Sequence, residues 1–251
     1  MRLLITGAAG GVGQLLLPGL IGKYELTLTD IVSIPNVEGT RTILGDLTDA
    51  GFAAEATAGV DAIVHLAANP NPQATWEQLL GPNIRLVTTL LDAAATNGVG
   101  RLVLASSAHA MGQYMWHGRR PIDPLWPVAP CCPYGATKAF VEAVARAHSF
   151  RYGARIACLR LGATFEKPNA SMLDGWLAPE DLQQLVCRCL AADLTFGIFH
   201  GISANTRSSW DINNARNELG YAPVRDSEEF AGSVGPDIDG SLCAPFAVSN
   251  D

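Results

Sequence analysis

The stretch Leu3-Leu4-Ile5-Thr6-Gly7-Ala8-Ala9-Gly10-Gly11-Val12-Gly13 decides how this chain is read. Leu3–Thr6 has the length and apolar character of a strand buried on both faces, and a helix is expected from about Gly11 to Leu20. Gly7, Gly10 and Gly13, spaced by three, fall where the strand gives way to that helix. Glycine permits the tight turn, lets backbone approach a ligand closely, and lets the helix lie near the sheet. The N–H groups of Gly11, Val12 and Gly13 would then form a seat for a diphosphate. Glycines cluster in ordinary loops too. The position between strand and helix is what makes this a dinucleotide signal.

Outward from that turn, short apolar runs alternate with helical stretches. Strands are expected at Glu25–Thr29, Thr42–Leu44, Ala62–Leu66, Arg101–Ala105, Arg155–Leu161 and Thr195–Ile202. Helical patterns cover Thr75–Thr96, about residues 133–152, Ala178–Ala192 and Asp211–Leu219. Such alternation means βαβ units and an α/β, doubly wound Rossmann fold with a parallel sheet. All 251 residues read as one NAD(P)-binding domain, with a small C-terminal substrate-binding lobe at about 163–225. Residues 226–251 are acidic and rich in Gly, Ser and Pro, the composition of a loosely ordered tail.

With 48% hydrophobic and 16% charged residues, the chain can bury an ordinary core without help from disulfides or a metal. A net charge of −7 with no Lys/Arg cluster argues against nucleic acid or an anionic membrane as partner, and does not choose between a small molecule and a protein. No apolar run reaches the ~18 residues of a membrane span. The run that starts at Leu3 stops at Thr6-Gly7, too short for an export signal, so residence in the cytoplasm is expected. There six cysteines would stay reduced. Cys158, Cys187 and Cys189 read as small buried side chains, while Cys131-Cys132, just before Tyr134, read as lining a site. None of the cysteine spacings matches a zinc site, and no metal is expected.

Asp30 closes the second strand, 23 residues after Gly7. A carboxylate there accepts hydrogen bonds from the adenosine ribose and repels a 2′-phosphate, so the cofactor expected is NAD rather than NADP. The rival reading is an ordinary turn. Asp46, in Gly45-Asp46-Leu47, suits the adenine amino group with Leu47 against the ring, or else caps a helix. His65-Leu66-Ala67-Ala68 closes the fourth strand at its carboxyl end, where ligands bind in such sheets. His65 reads as a packing residue, and the small Ala67 and Ala68 give a cofactor room to pass.

Tyr134 and Lys138 stand four residues apart, on one face of a helix. A phenol with a pKa near ~10 is a poor acid–base group at neutral pH, and an ammonium beside it is expected to lower that value. Ser106-Ser107 lies at the end of the fifth strand, with Ser107 placed to orient a substrate carbonyl. Together with a nicotinamide these residues make a ketone/alcohol site. A hydrolase is the rival enzyme class, but no Gly-x-Ser-x-Gly elbow is present. A dinucleotide-sensing protein without turnover would need only the glycines and Asp30, so the intact trio speaks against it.

These motifs, with Asn83 and Arg160-Leu161-Gly162, resemble those of the extended short-chain dehydrogenases/reductases, the NAD-dependent epimerase/dehydratase family, over about residues 1–225. The resemblance implies a seven-stranded parallel sheet, bound NAD, and catalysis by Ser107, Tyr134 and Lys138. Ala105, Ser106, Leu66, Asn83, Leu161, Gly162 and Ala163 would border the cofactor. It also suggests a homodimer paired through the helices at about 75–96 and 133–152.

Within that family the chain is most similar to uronate dehydrogenases, through Ser106-Ser107-Ala108-His109 with Gly112, Pro168-Asn169, Met172-Leu173, Trp176, Ser203-Ala204-Asn205 and Trp210. It departs from them at Ala108, where they usually carry Asn, and at Asn69-Pro70-Asn71-Pro72, where they carry a serine. Ser171 stands where they place the arginine that holds the substrate carboxylate. A carboxylate without its bidentate arginine binds far less well. A small neutral ring, sugar- or nucleoside-like, is therefore the leading substrate class, with Ser107, Ala108, His109, Tyr134, Thr164, Asn169 and Ser171 as its contacts. A true uronate dehydrogenase is the alternative, with Arg207 as the substitute cation.

Overall fold

The computed structural model describes residues 1–234 and Cys243. Its strands are β1 (Arg2–Thr6), β2 (Glu25–Asp30), β3 (Thr40–Leu44), β4 (Ala62–His65), β5 (Arg101–Ser107), β6 (Arg155–Leu161), β7 (Ala163–Thr164), β8 (Trp176–Leu177) and β9 (Phe196–Gly201). Seven of them form one sheet in the order β3-β2-β1-β4-β5-β6-β9, every pairing parallel. β7 and β8 pair separately, as a two-stranded parallel sheet. The helices are α1 (Gly11–Leu16), α2 (Ala50–Thr57), α3 (Trp76–Leu79), α4 (Leu86–Thr96), α5 (Pro133–Tyr152), α6 (Pro179–Ala191) and α7 (Asn213–Leu219).

Side chains alternate across the sheet and feed two cores. Leu3, Ile5, Ala157, Leu159 and Leu161 face one side, packed with Leu16 of α1 and Leu182, Leu185 and Val186 of α6. Leu4, Ile63, Ile156 and Cys158 face the other, against Ala53 and Ala56 of α2, Leu90 and Leu91 of α4, and Val141 and Ala145 of α5. A period of two puts both sets on opposite faces of the same strands. Cys158 and Cys189 are buried as expected, and Cys187 only half so. Among the described residues no helix is long and apolar enough to cross a membrane.

The differences from expectation have local causes. The first helix ends at Leu16 and continues as a 3₁₀ turn over Leu17–Gly19, because Pro18 has no N–H to offer the preceding turn. The long pattern 75–96 is not one helix. Thr75 caps α3 with a capping box to Gln78, a π-helical turn covers Leu80–Arg85, and α4 follows. Pro82 lies in that turn, where a regular i→i−4 bond is lost. The Ala-rich α2 carried no clear periodicity in the sequence. The tail begins in order: Ser227–Phe230 is a 3₁₀ turn capped by Asp226, with Phe230 edge-on to Trp176. The remainder of the expected tail, except Val234 and its neighbours before it and Cys243, lies outside the described residues.

One buried ion pair fastens α5 to the sheet. Arg160 on β6 donates twice to Glu142 on α5, both at 2.7 Å, and Ser106 on β5 donates to the same carboxylate at 2.6 Å. The guanidinium also reaches the Pro124 carbonyl at 3.0 Å. Both charged side chains are at most 4% exposed. Removing one partner strands the other charge in the core, which costs about 3–5 kcal/mol. Glu142→Ala is therefore expected to lose about that much unfolding free energy in urea titration. Asp193→Ala, which breaks the exposed pair with Arg155, should change stability little. Equal losses in the two variants would contradict this account.

Candidate active site

The strand order reverses between β1 and β4, and ligands of open parallel sheets bind in the crevice at that point. Thr6, the last residue of β1, stitches the two ends together. Its hydroxyl lies 2.7 Å from His65 Nδ1 and accepts from the Leu66 and Ala67 N–H groups, each at 3.3 Å. Burial pushes the His65 imidazole down to about 3, so it stays neutral and packs, as expected. Gly7 turns with φ +70°, and a Cβ there would lie 2.6 Å from the Ala67 nitrogen. At Gly13 a Cβ would lie 2.6 Å from the Gly7 carbonyl. Both positions exclude any side chain.

The same turn has the shape for a dinucleotide. A Cβ at Gly11 would meet nothing within 4 Å, so the start of α1 faces open space beside Gly10 and Val12. Asp30 lies at the rim, where its carboxylate accepts from Ala9 N at 3.0 Å and Ile31 N at 2.7 Å. Oδ1 also accepts from Val32 N at 3.4 Å, so Oδ2 is the oxygen that keeps a lone pair for a ribose hydroxyl. Asp46 accepts from Thr48 N and stays exposed, Leu47 is buried, and Asp49 rather than Asp46 caps α2. Leu66, Ala67 and Ala68 are half-buried along the crevice. These residues fit NAD.

Two expected cofactor contacts are otherwise engaged. The Asn83 amide donates to the Asn69 carbonyl and to Thr137, both at 3.0 Å, and accepts from Asn69 N at 2.8 Å. With both its hydrogens used, Asn83 positions the loop after β4 and α5 and has none to offer a cofactor. The Ser106 hydroxyl is turned into the core toward Glu142. Ala105 offers its carbonyl to Lys138 instead. Leu161, Gly162 and Ala163 close β6 at the carboxyl end, and a Cβ at Gly162 would collide with the Gly175 carbonyl.

Pro133 at the first turn of α5 and Gly153 after its last make a well-bounded helix. Tyr134 and Lys138 lie on its sheet-facing side, buried beside Ser107 at the end of β5. The Lys138 ammonium donates to the Ala105 carbonyl at 2.9 Å and lies 5.7 Å from the Tyr134 ring centre. The expected lowering of the tyrosine does not occur. Burial pushes the Tyr134 phenol up to about 12, with the Ser107 hydroxyl working the other way, because the ammonium is aimed at a carbonyl. Burial likewise lowers Lys138 to about 8. The free protein thus holds a protonated phenol, a proton donor, against a lysine poised near neutrality.

On the substrate side the expected contacts divide. His109 stacks edge-on to Tyr134 with ring centres 5.5 Å apart, and its backbone N–H donates to the Ser107 hydroxyl at 3.2 Å. Ala108 is half-buried beside it. Thr164 donates to the Gly162 carbonyl, and Ser171 to Asn169 at 2.9 Å on the exposed rim. Arg207 is held by Glu228 in two bonds, at 2.6 and 2.9 Å. That pair is exposed, with side chains 52% and 41% accessible, and engages two of the guanidinium nitrogens. Glu142 and Thr137 escaped the sequence reading, although Glu142 continues the Tyr134–Lys138 face at the next i+4 step.

The chain matches the model of the NAD dependent epimerase/dehydratase family over residues 3–170. It is 38% identical to uronate dehydrogenase of Pseudomonas putida, covering 93% of this chain and 87% of that one. It is 34% identical to an NAD-dependent glucose-6-phosphate dehydrogenase of Haloferax volcanii, covering 90% and 94%. The crystal structure of a uronate dehydrogenase mutant from Agrobacterium tumefaciens, complexed with NAD, superposes with a TM-score of 0.86 at 31% identity over 95% of this chain and 91% of that one.

The lysine has a measurable consequence. Between about 8 and 10.5, its folded and ordinary values, the native protein holds fewer protons than the unfolded chain. Stability should therefore rise with pH across that window. Urea unfolding at its two ends is expected to show a larger gain for the wild type than for Lys138→Met. Equal gains would contradict a lysine charged at a cost to folding.

Proposed function

The chain belongs to the NAD-dependent epimerase/dehydratase family and is an oxidoreductase that uses NAD, and from that premise we propose that it interconverts a secondary alcohol and a ketone or lactone on a small uncharged sugar-like ring. The observation that carries the reading is Ser107, Tyr134 and Lys138 buried together at the carboxyl end of β5. The names of its relatives favour a sugar. Ser171 in place of an arginine, and Arg207 neutralised by Glu228, favour a ring without a carboxylate.

NAD, when bound, supplies the hydride acceptor for oxidation, and its reduced form the donor for reduction. Ser107 donates a hydrogen bond to the substrate oxygen and holds it beside Tyr134. In reduction the Tyr134 phenol gives its proton to that oxygen. In oxidation the phenolate takes the proton as the carbon loses hydride, so one hydride and one proton leave the alcohol. Lys138 supplies the neighbouring positive charge that stabilises the phenolate. Burial of all three keeps water from competing for the proton.

The uronate reading stands second, favoured by the 38% identity with the Pseudomonas putida enzyme. Residence in the cytoplasm and a homodimer complete the proposal. Phe150 and Tyr152 on α5 and Trp76 on α3 leave apolar rings at the surface, and light scattering should give twice the 26.5 kDa chain mass.

The test is NADH formation from a panel of neutral sugars, nucleosides and hexuronates, with the matching ketones run in reverse. Neutral rings are expected to turn over, and Tyr134→Phe to lower kcat by about 10²–10⁴-fold with binding retained. Oxidation, which needs the phenolate, should accelerate as pH rises toward the Tyr134 value of about 12, and reduction should slow. Ser171→Arg should gain hexuronate turnover. Hexuronates outrunning every neutral ring in the wild type would move the assignment to the second reading, and no NAD-linked turnover would sink both.

A further inference from the structure

Beside the proton-transfer trio lies a second group of reactive side chains that the proposed oxidoreduction does not use. His109, Cys131, Cys132 and Cys243 bring one ring nitrogen and three sulfurs within 4.8 Å of one another. The three sulfurs lie 3.4, 3.5 and 2.9 Å from His109 Nδ1, in that order. All three cysteines are free thiols. The surrounding backbone is cut away to admit them. A Cβ at Gly112 would collide with the Cys131 sulfur, and one at Gly135 with the His109 carbonyl. Cys132 is also the N-cap of the twenty-residue α5, where its sulfur accepts from the Gly135 N–H at 3.4 Å.

We propose that His109 Nδ1 and the sulfurs of Cys131, Cys132 and Cys243 form a closed, tetrahedral zinc site. Thiolates and an imidazole are the donors this ion prefers, and four of them leave no position for water, the mark of a structural site. Zn–S near ~2.3 Å and Zn–N near ~2.0 Å require donors roughly 3.5–3.8 Å apart. The observed separations need only small side-chain adjustments to reach that. On binding, the three thiols release three protons to solvent while His109 stays neutral, and the site carries a net charge of −1.

Such an ion gives the active site a fixed wall. It ties Cys243, 111 residues beyond Cys132 in the sequence, to the start of α5 and to the His109 ring that packs on Tyr134. With Nδ1 on the metal, only Nε2 of His109 remains to face a substrate. Sequence spacing could not reveal the site, because adjacent cysteines, a histidine 22 residues earlier and one distant cysteine match no zinc pattern.

The experiment uses the full chain, reduced and stripped of metal, titrated with Co²⁺ alone and then Zn²⁺ alone. One Co²⁺ per chain is expected, with sulfur-to-cobalt charge-transfer absorption and tetrahedral visible bands that Zn²⁺ abolishes. Zn²⁺ should raise the melting temperature. Cys243→Ser should weaken binding by at least about 100-fold with an unchanged circular dichroism spectrum. Cys187→Ser should bind as the wild type does. Absence of stoichiometric metal in the reduced protein, or equal affinity in Cys243→Ser, would overturn the proposal. So would a chain lighter by two hydrogens, with Cys243 bridged to Cys131 or Cys132, that binds no metal once reduced. That outcome would make the group a redox pair.

Discussion

The contact between Gly7 and the backbone at Ala67 governs the geometry of the whole ligand crevice. β1 and β4 are neighbours in the sheet, and their ends must converge for the Thr6 hydroxyl to reach His65, Leu66 and Ala67 together. A side chain at Gly7 would force them apart, since its Cβ would lie 2.6 Å from the Ala67 nitrogen. Convergence at this point leaves the start of α1 open above the strand ends, with Asp30 at the far rim. The nucleotide site is therefore a consequence of backbone packing, with the Asp30 carboxylate at its rim.

The catalytic half of the crevice depends on a different device. α5 carries Tyr134 and Lys138, and its position is set by Glu142, one turn further on, locked to Arg160 and Ser106. Asn83 joins the same helix, through Thr137, to the loop after β4. These polar links are buried and satisfied, which makes them rigid and costly to break. The cost of placing the tyrosine so deeply appears in its proton affinity. Without a charge aimed at its oxygen, burial favours the neutral phenol, and Lys138 is itself held near the point of losing its charge. The free protein is thus set to give a proton rather than to take one.

Much of this was legible in the sequence because it rests on local rules. Period-two and continuous apolar runs located all seven strands of the main sheet, and the glycine spacing, Asp30 and the Tyr134–Lys138 pair fell where the fold brings them together. What the sequence hid depends on contacts between distant segments. Glu142 looks like an ordinary helical glutamate until Arg160 and Ser106 close around it. Pro82 broke an otherwise continuous helical pattern into a π turn, and that turn presents Asn83 inward. Arg207 looked like a free cation and is committed to Glu228, 21 residues away. The gathering of Cys131, Cys132, Cys243 and His109 is the extreme case, since no spacing rule links them. The direction of the Tyr134 shift was missed for a similar reason: an i+4 spacing puts Lys138 on the same face but does not say where its ammonium points.

The central claim is that a glycine-shaped crevice ending in the Asp30 carboxylate selects NAD. The most direct test is calorimetric titration of the purified protein and of Asp30→Ala with NAD⁺ and NADP⁺. The account predicts that the wild type binds NAD⁺ and discriminates strongly against NADP⁺, and that Asp30→Ala loses the discrimination while still binding through the glycine turn. Equal binding of both cofactors by the wild type, or a preference that survives the loss of Asp30, would contradict it.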